Sequence, residues 1–217
     1  MKEKDRLPTF SSRQLARVNN AVAMAEELVS NHYKMSASQW LHPKYDVKTL
    51  AELTDGEVVN GPFAQIIRYE GKLKGGVLGS SAYDFYKICI QDHAILKVLK
   101  THPEMELSPF TLYVVTHELV HIVRFSRFLQ NFDASAAEKL EEERRVHGIT
   151  HEILGPVKSH GLGTVLDFYS TWRTPIDGLK TIVDINSNSA NTEGLNRTAA
   201  AIEAVGAAHG VSFRRVP

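Results

Sequence analysis

Residues 114–125 read VVTHELVHIVRF. Ser108 and Pro109 just upstream suit the opening of a helix, serine as its cap and proline at the first helical position, so the stretch is expected to lie on a helix reaching about Gln130. On that helix His117 and His121 stand at i and i+4, on one face and about 6 Å apart at Cβ, close enough for both imidazoles to reach one ion. Glu118 points about 100° away around the axis. That is the working geometry of His-Glu-x-x-His: two imidazoles hold a metal, and the glutamate takes a proton from the metal-bound water. Phe110, Val114, His117, His121 and Phe128 fall on one stripe, so both histidines are expected to face inward. A buried imidazole without a partner is costly; a metal, or a carboxylate from another helix, would remove that cost. The competing reading is an amphipathic helix that happens to carry polar residues.

A third ligand is expected from the next helix, AAEKLEEERRVHGITHEIL, from Ala136 to about Leu154, capped by Asp133 or Ser135. Successive helical residues diverge by about 100°, so only one of Glu141, Glu142 and Glu143 can face the site. Leu140, Glu143, His147, Thr150 and Leu154 make one stripe whose apolar members mark the buried side. Glu143 is therefore the expected ligand, with His147 one turn on either hydrogen-bonding a ligand or replacing Glu143 on the metal. Glu141 and Glu142 are expected in solvent beside Arg144 and Arg145.

Over roughly Phe85 to Leu154 the order "DFYKICIQD", "HAILKVLK", "THELVH", "EERRVHG" resembles the gluzincin metallopeptidases, the thermolysin-like class, in their compact minimal form. The resemblance implies an α+β fold, mostly helical and zincin-like, with a small antiparallel sheet beside the HExxH helix. It implies Zn2+ as cofactor, a peptide or protein as substrate, and peptide-bond hydrolysis with Glu118 as general base. It also implies that the strand YKICIQ lines the cleft and pairs with an extended substrate. The family usually has an aspartate where His147 stands. The third ligand is thus Glu143 or His147, or both in a closed four-ligand site that would favour a structural role. A donor for the developing oxyanion is expected downstream, from His160 first, with Tyr169 and His151 as alternatives.

The region from residue 173 to 217 reads differently and is expected to be an appendage to a domain over 1–172. Its GLKTIVDINSNSANTEGLNRTAAAIEAVGAAHGVSFRRVP resembles the opening of glutamate-carboxypeptidase-like two-metal exopeptidases, in which the ligands come later than Pro217. No catalytic role carries over. Leu195, Ala199, Ile202 and Val205 share one helical face suited to packing or self-association.

Elsewhere, Ser11 or Ser12 is expected to cap a helix bearing Leu15, Val18, Val22, Ala25 and Val29 on one face, and Asp46 to cap a short helix VKTLAEL. FAQIIRYEG and DFYKICIQD read as two strands, and HAILKVLKTH as a short helix ended by Pro103. The 217 residues contain 25 Lys+Arg and 25 Asp+Glu, a balance that argues against a nucleic-acid partner. The single cysteine, Cys89, is expected to be a buried small hydrophobe. With no stretch of transmembrane length and a charged start, no membrane contact and a cytoplasmic location are expected; oligomeric state is left open. Two functions compete with the hydrolase: a non-hydrolytic metal protein, either a di-iron helical bundle or a structural zinc site, and a catalytically inactive binding module. Glu118 and His121 supply one Glu-x-x-His pair of the kind di-iron bundles use, but no second pair occurs on the other helices.

Overall fold

The computed structural model describes residues 6–36, 44–72, 82–130 and 135–170. The appendage expected over 173–217, and its amphipathic helix, lie outside them. The elements run α1 (Ser12–Tyr33), β1 (Lys44–Lys48), β2 (Ala64–Lys72), β3 (Ala82–Ile90), α2 (Asp92–Thr101), α3 (Leu107–Ser126) and α4 (Ala136–Leu154), with short 3-10 turns at Leu50–Glu52 and Asp55–Glu57. Residues 162–170 form a further helix, α5. The fold is α+β, mostly helical beside one small sheet. No helix among the described residues is long and apolar enough to cross a membrane.

By their contacts the residues divide into two compact units, Met1–Phe132 with Val146–Leu166, and Asp133–Arg145 with Asp167–Pro217. In the first unit α3 is the central helix. It is buried over almost its whole length, as a segment apolar all round must be. α1 packs against it through Val18, Ala21, Ala25 and Val29. Ser11 caps α1 in a capping box with Gln14, and Lys34 closes it in the left-handed conformation. In the second unit Ser135 caps the start of α4, its amide and hydroxyl both donating to Glu138. That settles the cap between the two residues the sequence offered.

The sheet is mixed, with order β1-β3-β2. β2 and β3 pair antiparallel, with Ile66 opposite Ile88, as the two-strand reading expects. β1 pairs parallel with β3. Asp46, read as the cap of a helix over VKTLAEL, lies inside this strand; of that segment Val47 and Lys48 belong to β1, and only Leu50–Glu52 is helical, as a single 3-10 turn. Tertiary pairing overrides a weak local preference here: Lys44–Lys48 gain a ladder along β3 that a short helix lacks. A second correction follows. β3, which carries YKICIQ, is the central strand and is hydrogen-bonded on both sides over 85–89. It therefore has no edge to offer a substrate. The helix expected to reach Gln130 ends at Ser126, and Phe128 leaves the inward stripe: it stands at φ 55° and is 95% exposed.

One face of the sheet packs on α3, with Tyr86 stacked on Phe125. On the other face Cys89 is buried among Leu50, Leu53 and Ile67. Burial pushes its thiol up to about 11, with Glu57 and Glu118 adding to the shift, so it behaves as the small hydrophobe expected.

Two carboxylates tie the irregular segments to the sheet. Buried Asp92, in the first turn of α2, accepts from the Phe10 amide at 2.9 Å and the Leu50 amide at 2.9 Å. Burial raises its carboxyl, and these backbone bonds work against that rise. Glu57 accepts from Lys87 Nζ at 2.6 Å, the Thr54 amide at 2.7 Å and the Tyr69 hydroxyl at 2.8 Å. These donors, Lys87 first, hold its carboxyl down at about 2. Between them buried Gln91 accepts from the Val59 amide and donates to the carbonyls of Glu57 and Cys89.

Asp92→Ala leaves two buried amides without their acceptor, each costing about 1–3 kcal/mol. The thermal midpoint should fall by roughly 4–24 °C in a calorimetric scan; an unchanged midpoint would remove Asp92 from this role. For Glu57 the folded carboxyl is the stronger acid, so between pH 4.5 and about 2 the unfolded chain holds the extra proton. Its contribution is complete above pH 4.5 and vanishes as pH falls through about 2. Denaturant titrations across this window should show a shallower pH slope for Glu57→Gln than for the parent.

Candidate metal centre

On α3 the residues Tyr113, His117, His121 and Phe125 follow one another at i, i+4, i+8 and i+12, forming one row along the helix. The second half of α4 presents His147 and His151 one turn apart, and the two rows meet. The Tyr113 hydroxyl and His147 Nδ1 are 2.8 Å apart. The Tyr113 ring also meets His151 edge-on at 5.6 Å. The rings of His117 and His147 are 4.3 Å apart at their centroids. The two helices thus meet in part through these polar rings.

His117 is the hub. Its Nε2 lies 3.2 Å from Nε2 of His121, and both side chains are buried. Two nitrogens held about 2.0–2.1 Å from one tetrahedral ion stand about 3.3 Å apart. The pair is therefore spaced as two ligands of a single metal. With no ion between them the same contact is a hydrogen bond, His117 Nε2–H donating to the His121 lone pair. His117 also groups with Glu143 and His147: one donor atom of each lies within 4.8 Å of the others. Glu143 precedes His147 by four residues on the continuous helix α4, so both carry onto one face. A span of 4.8 Å exceeds the separation of bound ligands, and small side-chain rotations would close it.

Two neighbours orient the imidazoles. The Gln130 carbonyl Oε1 is 3.1 Å from His121 Nδ1 and accepts its N–H, leaving the lone pair on Nε2. With Nδ1–H of His147 donating to the Tyr113 oxygen, His147 likewise presents Nε2 as a donor to metal. Arg124 is the one lysine or arginine of α3; it lies one turn past His121 and is buried. None of these three was singled out from the sequence. The i, i+4, i+8 run from Tyr113 was available to find the first. Gln130 lies beyond the helix end, where no periodicity marks it.

The structure thus brings His117 together with Glu143 and His147, and His121 to His117, without placing His121 among the α4 donors. Glu118 is half-buried on another side of α3, near enough to β3 to raise the Cys89 thiol. His160 is not brought to the centre. Its side chain is 93% exposed and pairs with Glu106 at 2.6 Å, at the opposite end of α3. Eleven residues separate Glu106 from His117, about 16 Å of helix rise. Tyr169 is buried on α5, against Phe168. The stripe on α4 also needs correction. Glu142 is buried at 5% exposure, in line with buried Val146 and Thr150, while Glu143 and His147 are half-buried on the flank. Glu142 can leave water because Arg145 neutralises it at 3.0 Å; Glu141, paired to Arg144, stays more exposed.

Loss of either orienting neighbour should weaken metal binding by about 10–100-fold. Tyr113→Phe and Gln130→Ala should each do so in a chelator-competition titration with zinc. Parent-like affinity in both would mean that neither residue sets a ligand's tautomer. Comparison of the chain with known protein families, curated proteins and solved structures gives no match.

Proposed function

We propose that the protein is a zinc-dependent peptide-bond hydrolase. His117 and His121 hold the ion, Glu143 or His147 completes the protein ligands, and Glu118 is the general base. The observation that carries this reading is the 3.2 Å spacing of the two buried Nε2 atoms, with Glu143 and His147 of α4 grouped beside His117. Bound zinc would supply a water of lowered pKa and a polarised carbonyl. Glu118, adjacent in sequence to His117 but off the ligand row, would accept the proton. His160, exposed and paired to Glu106 at the far end of α3, is too distant to stabilise an oxyanion there. An extended substrate would pair with the outer edge of β2, since β3 is enclosed by its neighbours.

The alternative is a closed structural zinc site, which would need His121 to join His117, Glu143 and His147 on one ion. A di-iron bundle is less well supported, because Glu118 is not among the converging donors.

The test begins with protein purified without chelator, which should contain one zinc per chain. Glu118→Gln should keep the zinc and lose hydrolysis of a mixed peptide library by about 10²–10⁴-fold, the usual worth of a general base. Full retention of activity in that variant would exclude Glu118. His121→Ala should lose the metal. In the cobalt-substituted protein, an added hydroxamate should change the visible spectrum if one coordination position is open; an unaltered spectrum would favour the structural site.

A further inference from the structure

A groove of about 1090 Å³ runs between α1 and β1, at the upper limit of ligand pockets and roomy enough for several residues of a peptide. Its apolar lining comes from Leu15, Val18 and Val22 of α1 and from Val47 of β1. Successive side chains of a strand point to opposite faces of its sheet, yet Tyr45, Asp46 and Val47 all line this groove. The groove therefore follows the edge of β1 rather than a face of the sheet. β1 is an edge strand on the side of β3 away from β2, so this is not the edge assigned above to the substrate.

The charge in the groove has one sign. Among the described residues that line it, Glu26, Glu27, Asp46 and Glu52 are acidic and no lysine or arginine is present. Lys48, a residue type that guards free sheet edges, is instead held between Asp46 at 3.2 Å and Glu52 at 2.9 Å. Glu26 accepts from the Tyr45 hydroxyl, and neither it nor exposed Glu27 has a cationic partner among the described residues. The whole chain carries 25 Lys+Arg against 25 Asp+Glu, so this excess is local. A second copy of the chain fits poorly. Antiparallel pairing of two β1 strands over their full length sets Asp46 against Asp46 and Lys44 against Lys48, and like charges directly opposite repel.

We propose that this groove docks an extended basic segment of a partner protein, which adds as a fourth strand along the edge of β1. Backbone pairing holds the segment, and its lysines or arginines meet the carboxylates, which select it over neutral or acidic segments. The docking site is independent of the metal centre.

The probe is fluorescein-labelled Lys-Val-Lys-Val-Lys-Val, titrated with the full chain and followed by fluorescence anisotropy. Glu-Val-Glu-Val-Glu-Val should bind about tenfold or more weakly, from several exposed charge pairs acting together. Lys-Val-Lys-Pro-Lys-Val keeps the charge but lacks one N–H for the ladder, and it should also bind more weakly. Ala23→Trp fills the groove from an exposed position on α1, and Glu27→Lys reverses an exposed charge. Each should weaken the lysine peptide by about tenfold without lowering the thermal midpoint, and metal-free and zinc-loaded protein should behave alike. No binding of the lysine peptide, equal binding of the acidic one, or binding untouched by both variants overturns the proposal. A parent protein that dimerises in sedimentation and is made monomeric by Ala23→Trp assigns the groove to a second copy and overturns it as well.

Discussion

Helix α3 is enclosed on nearly all sides, and that enclosure constrains everything around it. A helix so placed can carry imidazoles only where neighbouring groups satisfy them, because an isolated buried polar group costs several kcal/mol. The row from Tyr113 to His121 meets this condition through the Tyr113–His147 contact across to α4, the His117–His121 contact along α3 itself and the Gln130 amide. Hydrocarbon packing supplies the remaining faces: α1 on one side, Tyr86 and its sheet on another. The donors are therefore presented by a rigid support, and rigid presentation is what lets ligands bind an ion without first losing conformational freedom.

The support is itself held by polar contacts on the far face of the sheet. Asp92, Gln91 and Glu57 take up backbone amides from the loop and 3-10 segments, at Phe10, Leu50, Thr54 and Val59. Those segments cover the face of β3 that carries Cys89. A three-stranded sheet needs such cover, since few strands and one apolar face give little independent stability. The contacts that fix β3, and through Tyr86 the end of α3, thus lie away from the donors and are distinct in chemistry from them.

How much of this was legible in the sequence depends on the range of the signal. α1 could be read because Ser11 and Gln14 mark its start and its apolar residues recur at helical spacing. His117 and His121 were legible for the same local reason. β1 was not: Asp46 before an apolar run imitates a helix cap, and only pairing with distant β3 reveals the strand. On α4 the triple glutamate hid the true inner face, because burial of Glu142 depends on Arg145 rather than on apolarity. Gln130 could not be read at all. Its place beside His121 follows from where α3 ends, which is not written in local spacing.

The arrangement of charge bears on whether the centre is open or closed. If zinc is bound as proposed, an ion held by three imidazoles and one carboxylate would keep a net positive charge, which is costly in a poorly solvated site. Exchange of one neutral imidazole for an ionised water would neutralise it. His147 is the donor best suited to yield, because Tyr113 can hold its ring whether or not it binds metal. On this reasoning His147 would be a swinging neighbour rather than a permanent ligand. The departure from an acid at position 147 is then compatible with hydrolysis, since the substituted residue keeps the positioning role and gives up the coordination site to water.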